Sequence, residues 1–232
     1  TMKKNLLSSL IAMFSVNILL AQIVVFSPVK VEQNDIEQFL NVEMNYSKKI
    51  AQDAVNNGKL LGWVLMQNTN VGPDDYNFMW VNAYPTIEIA ANENAWWSHS
   101  EKVVGIKPDV LFSDSSKYKY DRSYTYKMQM SIPNTGPAAY VILNFATPDD
   151  VNAVAASSKK YVIPHFKKNM SDNGMVGWGM ATKITPQGQE YSSMMTYDSY
   201  DSLKNAMKHL AGEGIIEGLP MDKLTKVTWE MR

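Results

Sequence analysis

The stretch NGKLLGW, residues 57–63, returns later in the chain as NGMVGW, residues 173–178. The tryptophans that end the two copies, Trp63 and Trp178, are 115 residues apart. Solenoid repeats are roughly 20–50 residues long, so this spacing indicates a duplicated domain instead. Other matches at the same spacing are Tyr46 with Tyr161, Tyr76 with Tyr191, and Met79 with Met194.

Each copy of the repeated stretch follows a segment with helical periodicity. From Asp35 to Asn57 the apolar residues fall on one side of a 3.6-residue period, and glycine follows directly. The counterpart begins at TPDD, residues 147–150, where an N-cap threonine precedes proline at the first helical position. Pro164 lies in its middle and predicts a bend, because proline lacks the N–H and crowds the preceding turn.

Strand-like segments surround these helices, and their order predicts the fold. A second helix is expected in each copy, near 86–97 and 200–211, and residues 98–121 are interpreted as a surface insertion. The β-α-β-β-α-β order, found twice, is the ferredoxin-like pattern. The predicted domains are therefore residues 22–131 and 132–232. The predicted strands are 28–31, 60–67, 76–84 and 124–130 in the first copy, and 139–145, 176–183, 191–197 and 225–231 in the second.

This order, together with the NGKLLGW and NGMVGW blocks, resembles the dimeric α/β-barrel superfamily. That superfamily includes antibiotic-biosynthesis-monooxygenase-like and stress-responsive barrel domains, and the blocks are also similar to those of secreted bacterial proteins with a tandem fold. The resemblance implies an α+β fold in which two tandem ferredoxin-like repeats form a single-chain barrel. Its members include cofactor-free oxygenases, haem-binding or haem-degrading proteins and chlorite dismutase-like enzymes. The resemblance does not select among these activities, because one fold hosts many functions.

The first residues have the pattern of a secretory signal peptide. Lys3 and Lys4 precede an apolar stretch, residues 6–20, which ends at the small residue Ala21. The stretch is shorter than the roughly 20 apolar residues that a membrane-spanning helix needs. We therefore expect cleavage after Ala21 and export into the periplasm of a bacterium or beyond. We expect no stable membrane insertion of the mature chain.

Composition narrows the classes of partner and cofactor. The chain has no cysteine, so neither a disulfide nor a cysteine-linked lipid is available to an exported form. With 22 basic and 23 acidic residues there is no basic excess to indicate a nucleic-acid partner. The three histidines lack metal-ligand spacing, so no metal site is predicted. Haem held through a single histidine stays open, as does self-association of the chain.

Polar residues fall on the core-facing side of the first helix of each copy. At about 100° per residue, Glu43 and Ser47 lie near the centre of the apolar stripe, and so do His165 and Asn169 in the second copy. A buried polar group needs a protein partner, a ligand or water. The sequence thus predicts a ligand pocket in the second copy and a lesser one around Glu43 and Ser47. The second-copy pocket would be lined by Tyr161, His165, Asn169, Trp178 and Met180.

An alternative interpretation exists for His165. If Pro164 rotates the helix, the imidazole points to solvent or forms an internal hydrogen bond.

Three functions fit the sequence. The favoured hypothesis is an exported protein that binds a small apolar or aromatic molecule in a helix–sheet cavity. The first alternative is a cofactor-independent oxygenase or haem-processing enzyme, as the superfamily resemblance implies. The second alternative is a structural or protein-interaction module of the envelope. Binding ranks above catalysis because no charge-paired catalytic constellation is visible in the sequence.

Overall fold

The computed structural model describes residues 23–69, 71–72, 74–92 and 95–231. The predicted signal peptide lies outside these residues. The chain divides into two compact units. The N-terminal unit extends to Lys127 and includes Ile184–Pro186, and the C-terminal unit comprises Met128–Lys183 and Gln187–Arg232.

The sheet of the N-terminal unit is antiparallel and has the strand order β2-β3-β1-β5, with β4 also paired to β1. Even-numbered residues of β3 face the helices, because side chains alternate along a strand. The strands are β1 (Ile23–Lys30), β2 (Gly62–Gln67), β3 (Phe78–Tyr84), β4 (Lys119–Tyr120) and β5 (Tyr124–Ile132), and β5 continues past the end of this unit.

The long helix of the N-terminal unit covers this sheet. It comprises α1 (Ile36–Val42), a π-helical turn (Glu43–Ser47) and α2 (Lys48–Asn56). Its α2 part buries Ile50, Ala51 and Ala54 against Trp63 of β2, as the apolar period predicts. The helix ends at Gly58, whose φ of 69° lies in the left-handed region that favours glycine. The short helices that follow are α3 (Ile87–Ala90), α4 (Ser100–Val104) and α5 (Pro108–Leu111), with 3₁₀ turns at Trp96–His99 and Ser113–Lys117.

The C-terminal unit has an antiparallel sheet with the order β7-β8-β6-β9. Its helices pack on the sheet and bury an apolar core between them. This core includes Phe166, Trp178 and Met180. The strands are β6 (Tyr140–Ala146), β7 (Met175–Thr185), β8 (Met194–Tyr200) and β9 (Trp229–Met231). The helices are α6 (Val151–Ser157), a π-helical turn (Ser158–Val162), α7 (Ile163–Asn169) and α8 (Leu203–Leu210), with 3₁₀ turns at Ser171–Asn173, Gly214–Ile216 and Met221–Lys223.

Three elements of the C-terminal unit begin 115 residues after three elements of the N-terminal unit. They are α6, the second π-helical turn and α7, which follow α1, the first π-helical turn and α2 at that distance. Pro164 occupies the start of α7, directly after the π-helical turn. The missing N–H of this proline is thus tolerated within one continuous helix, since the turn already departs from the α-helical ladder there.

Some elements differ from the sequence-based expectation. The helix expected over residues 86–97 is only the short α3, because the backbone leaves the helical conformation at Ala91. The last strand is shorter than residues 225–231, because Thr225 is tied to α6 and not to a strand. Its amide donates to Ser157 Oγ, and its hydroxyl donates to the carbonyl of Ala153. None of the described helices is both long enough and apolar enough to cross a bilayer.

Candidate functional site

Glu43 and Ser47 are the first and last residues of the π-helical turn in the N-terminal unit. Only 5% of Glu43 and 3% of Ser47 are exposed, so both side chains face the core as the helical period predicts. A π-helical turn widens the helix locally, and such turns recur at functional sites. The ligand-binding role of these residues stays a prediction.

The Glu43 carboxyl group is held by an indole. Trp80 Nε1 donates a hydrogen bond of 2.9 Å to Glu43 Oε2. Burial raises the pKa of Glu43 from 4.5 to about 7, although the Trp80 bond and, more weakly, the nearby Ser47 hydroxyl oppose the rise. Near neutral pH both protonation states are therefore populated, as a general acid–base group requires.

Two more polar atoms are buried on this side of the unit without a regular hydrogen bond. Asn82 Oδ1 makes no hydrogen bond among the described residues, and Ser47 Oγ forms none with regular geometry, although it lies near enough to the Glu43 carboxyl group to lower its pKa. Asn82 lies two residues after Trp80 on β3 and so shares the helix-facing side of the sheet. An unpaired buried polar atom costs about 1–3 kcal/mol, so a water molecule or a polar ligand group between helix and sheet would be stabilising.

Aromatic rings pack around this polar group, and we call Phe39, Phe78, Trp80, Tyr118 and Tyr120 the aromatic cluster. The centroid of Phe39 lies 5.7 Å from Trp80 and 5.4 Å from Tyr118, and Tyr120 stacks on Trp80 with a 15° interplanar angle. Burial, followed by nearby acids that include Glu43, raises the pKa of Tyr118 to about 12. Its hydroxyl therefore stays protonated at physiological pH.

The two tyrosines of the aromatic cluster belong to the segment that was expected to be a surface insertion. Residues 98–121 instead contribute Leu111 to the core and place Tyr118 against Phe39. The segment is therefore anchored to the unit at these residues, while many of its other residues are exposed. The reason is that its aromatic and apolar residues find ring and core partners on the long helix and sheet of the same unit.

In the C-terminal unit, the structure brings His165 and Asn169 together. His165 Nε2 donates to the carbonyl of Ile215 at 2.8 Å, while Asn169 Nδ2 donates to the His165 carbonyl at 2.9 Å. Trp178 and Met180 are buried in the core, and Tyr161 is half-buried with Lys160 Nζ 5.0 Å from its ring centroid. This geometry matches the alternative interpretation of an internally bonded histidine. The ligand role of these residues stays a prediction.

Replacement of His165 tests that role. We expect His165→Ala to lower the free energy of unfolding by about 1 kcal/mol, because one half-buried hydrogen bond to a carbonyl is lost. Urea unfolding measures this, with Lys167→Ala as the control for an exposed residue of α7. If His165→Ala abolished retention of a co-purified small molecule at unchanged stability, the result would support the predicted ligand pocket of the second copy.

A buried polar network beneath α8 was not predicted from the sequence. Asn144 Nδ2 donates to Thr196 Oγ1 at 3.0 Å and to Asp198 Oδ2 at 2.5 Å. Tyr200 Oη lies 2.5 Å from His209 Nδ1, and His209 Nε2 lies 3.9 Å from Asp198 Oδ2. The available clue was alternation, since polar residues at every second position of an otherwise apolar strand point to one face.

Histidine geometry bears directly on haem and metal binding. Each histidine directs Nε2 to a protein group: His99 to Lys59 Nζ, His165 to the Ile215 carbonyl and His209 towards Asp198. Among the described residues, the Nε2 atom of each histidine is therefore already directed at a protein group and not at an open ligand position. Nor do they contain a group of three His, Asp or Glu side chains that could hold a metal ion.

Comparison with known proteins establishes the fold. No protein-family model and no curated protein sequence matches the chain. A candidate monooxygenase from Fusobacterium nucleatum superposes with a TM-score of 0.55 at 9% identity, covering 91% of this chain and 92% of that one. A candidate monooxygenase from Lactobacillus acidophilus gives 0.52 at 12% identity, covering 82% and 81%.

A mutant chlorite dismutase from Candidatus Nitrospira defluvii gives a TM-score of 0.52 at 10% identity, covering 90% of this chain and 88% of that one. Identities this low carry no activity across, because one fold hosts many functions. The chain therefore has the α+β fold of dimeric α/β-barrel proteins, which its sequence resembles.

Proposed function

We propose that this protein is a cofactor-independent enzyme that moves a proton at a small aromatic molecule, with Glu43 as the acid–base group. One observation carries the proposal: a buried carboxyl group with a pKa near 7 faces a cluster of aromatic rings. Buried titratable groups with strongly shifted pKa values concentrate at functional sites. The same fold occurs in two candidate monooxygenases, so it is compatible with chemistry of this class.

The roles of the residues follow from their positions. The Trp80 N–H fixes Glu43 Oε2, which leaves Oε1 to accept a proton from an acidic C–H or O–H of the substrate. Tyr120 is the most exposed ring of the aromatic cluster, at 48%, and it offers a stacking surface for a planar substrate. Ser47 Oγ and Asn82 Oδ1 are the unpaired polar atoms available to orient a substrate hydroxyl or carbonyl group.

In an oxygenase reaction of this type, the deprotonated substrate is itself the reductant of dioxygen. A methylene group and one dioxygen molecule give a carbonyl group and one water molecule, so atoms and electrons balance without a metal or flavin. The contribution of Glu43 is to take the first proton and to return it to the departing oxygen. General acid–base assistance of this kind contributes about 10²–10⁴-fold to rates.

The experiment uses anthrone, an aromatic carbon acid with an oxidisable methylene group. We expect oxygen uptake with the wild-type chain and a rate about 10²–10⁴-fold lower with Glu43→Gln, because the amide cannot accept the proton. Glu37→Gln is the matched control, since Glu37 is an exposed acid on α1. Equal rates for wild type and Glu43→Gln would contradict the proposal.

The hypothesis of a non-catalytic carrier is the second candidate, and the unpaired atoms of Ser47 and Asn82 favour it too. A carrier would bind the aromatic probe without oxygen uptake. Glu43→Gln would then alter affinity and not turnover. Measuring anthrone binding and oxygen uptake on the same samples distinguishes the two candidates.

We extend the proposal to domain organisation and location. The 115-residue spacing between the long helices supports two tandem ferredoxin-like repeats. Lys3, Lys4 and the apolar stretch after them support export after cleavage at Ala21. The intact mass of the exported chain checks this, and a mature form that begins at Gln22 is the expected result.

A further inference from the structure

A recess lies in the N-terminal unit, beside the end of the long helix. Its volume is about 540 Å³. The residues that line it include Lys59, Tyr84, Ile89, Trp96 and His99. Ligand pockets for small molecules are typically about 300–1,000 Å³, so the recess is large enough for a small organic molecule and larger than a bare ion requires.

Two basic side chains meet in this recess. Lys59 Nζ and His99 Nε2 are hydrogen-bonded to each other. Since a lysine ammonium group can only donate, the imidazole accepts at Nε2 and carries its own proton on Nδ1. Neither side chain forms an ion pair with a described carboxylate. The pair thus holds a partly buried positive charge without a counter-charge among the described residues.

Two further side chains that line the recess carry a hydrogen-bond donor. Burial raises the pKa of Tyr84 to about 12, so its hydroxyl keeps its proton at physiological pH. Trp96 is 93% buried, and its Nε1 has no hydrogen-bond partner among the described residues. An indole N–H is a donor only, so this atom can be satisfied only by an acceptor. The donors at Lys59 and Tyr84 therefore complement an acceptor ligand, as does the Trp96 N–H, which lies beneath the surface of the recess.

We infer that this recess binds a small organic carboxylate. A carboxylate supplies both a negative charge for Lys59 and two acceptor oxygens for the neighbouring donors. Ile89 and the rings of Tyr84 and Trp96 provide an apolar surface for the body of the molecule. The inference is independent of the proposed chemistry at Glu43, and its test does not use turnover.

The probe is 1-naphthoate, and its neutral counterpart is 1-naphthalenemethanol. Isothermal titration calorimetry of the full chain compares the two. We expect naphthoate to bind at least about tenfold more tightly than the alcohol, because charge-assisted hydrogen bonds are lost in the alcohol. Equal affinities, or no naphthoate binding up to the solubility limit of the probe, would overturn the inference.

Variants locate the binding site. Lys59→Met and His99→Gln should each weaken naphthoate binding, the lysine change by about tenfold or more. Lys102→Met is the matched control, since Lys102 is an exposed basic residue of α4 outside the recess. Thermal unfolding of each variant verifies folding, and the His99 change provides a second test if Lys59→Met is unstable. Equal losses in the Lys102 and Lys59 variants would show non-specific attraction and overturn the inference.

Discussion

Glu43→Gln is expected to be more stable than the wild-type chain above neutral pH, by about 3 kcal/mol at about pH 8. Burial raises the pKa of Glu43 from 4.5 to about 7, so the folded state binds the proton more tightly than the unfolded state does. The stability that this protonated carboxyl group contributes is fully present below about pH 4.5 and is lost as the pH rises through about 7. Glutamine resembles the protonated acid and carries no charge, so the variant does not suffer this loss.

The measurement is urea unfolding of wild type and Glu43→Gln across the interval from about pH 4.5 to about pH 8. The difference between the two free energies of unfolding should be small at the acidic end and should grow through about pH 7. Glu37→Gln provides the control, because its exposed carboxyl group should give a difference that hardly changes with pH. A Glu43→Gln difference that is constant over the interval would contradict the buried placement of this carboxyl group.

The same variant links stability to activity. Replacing Glu43 should stabilise the fold at high pH while it removes the proton acceptor. A gain in stability together with a loss of activity is expected where a chain retains a destabilising buried charge for its chemistry, since functional sites often lower stability. A variant that gained stability and kept full oxygen uptake would separate Glu43 from the proposed reaction.

Asp198→Ala is expected to have the largest destabilising effect, a loss of about 3–5 kcal/mol. The carboxylate of Asp198 is 2% exposed, accepts from Asn144 and faces His209 across 3.9 Å. Removing it takes one buried partner away from each of these groups, and the apolar methyl group of alanine cannot replace the lost hydrogen bond. Asp198→Asn keeps an acceptor for Asn144 and should therefore cost less than alanine.

Urea unfolding at neutral pH measures these losses. Asp172→Ala is the control, because Asp172 is an exposed acid in a 3₁₀ turn of the same unit, and its effect should stay within about 0.5 kcal/mol. The diagnostic result is the order of the losses in free energy of unfolding, with Asp198→Ala the largest, Asp198→Asn smaller and Asp172→Ala smallest. If Asp198→Ala cost no more than Asp172→Ala, the polar network beneath α8 would not stabilise the fold.

Helical periodicity predicted the burial of Glu43 and Ser47, because both lie one turn apart on the apolar side of one helix. It could not predict the hydrogen bond from Trp80, since 37 residues of chain separate the two side chains. The sequence showed only where each side chain points within its own element. Partners on different elements depend on the packing of helix against sheet, which local periodicity does not contain.

The hydrogen-bond partner of His165 could not be predicted from periodicity either. The period placed it near the core-facing side, yet its ring bonds the carbonyl of Ile215, 50 residues away. The aromatic cluster was missed for a related reason, because Tyr118 and Tyr120 belong to a segment without strong periodicity. Their contacts with Phe39 and Trp80 arise from tertiary packing and not from a local pattern.

Direct titration of the Glu43 side chain is the most decisive measurement. In a chain labelled with carbon-13 at the glutamate carboxyl groups, the resonance missing from the Glu43→Gln spectrum belongs to Glu43. We expect that resonance to titrate with a midpoint near 7, where burial places its pKa. A midpoint near the ordinary 4.5 would show that the carboxyl group is solvated, and it could not be the acid–base group of a buried site.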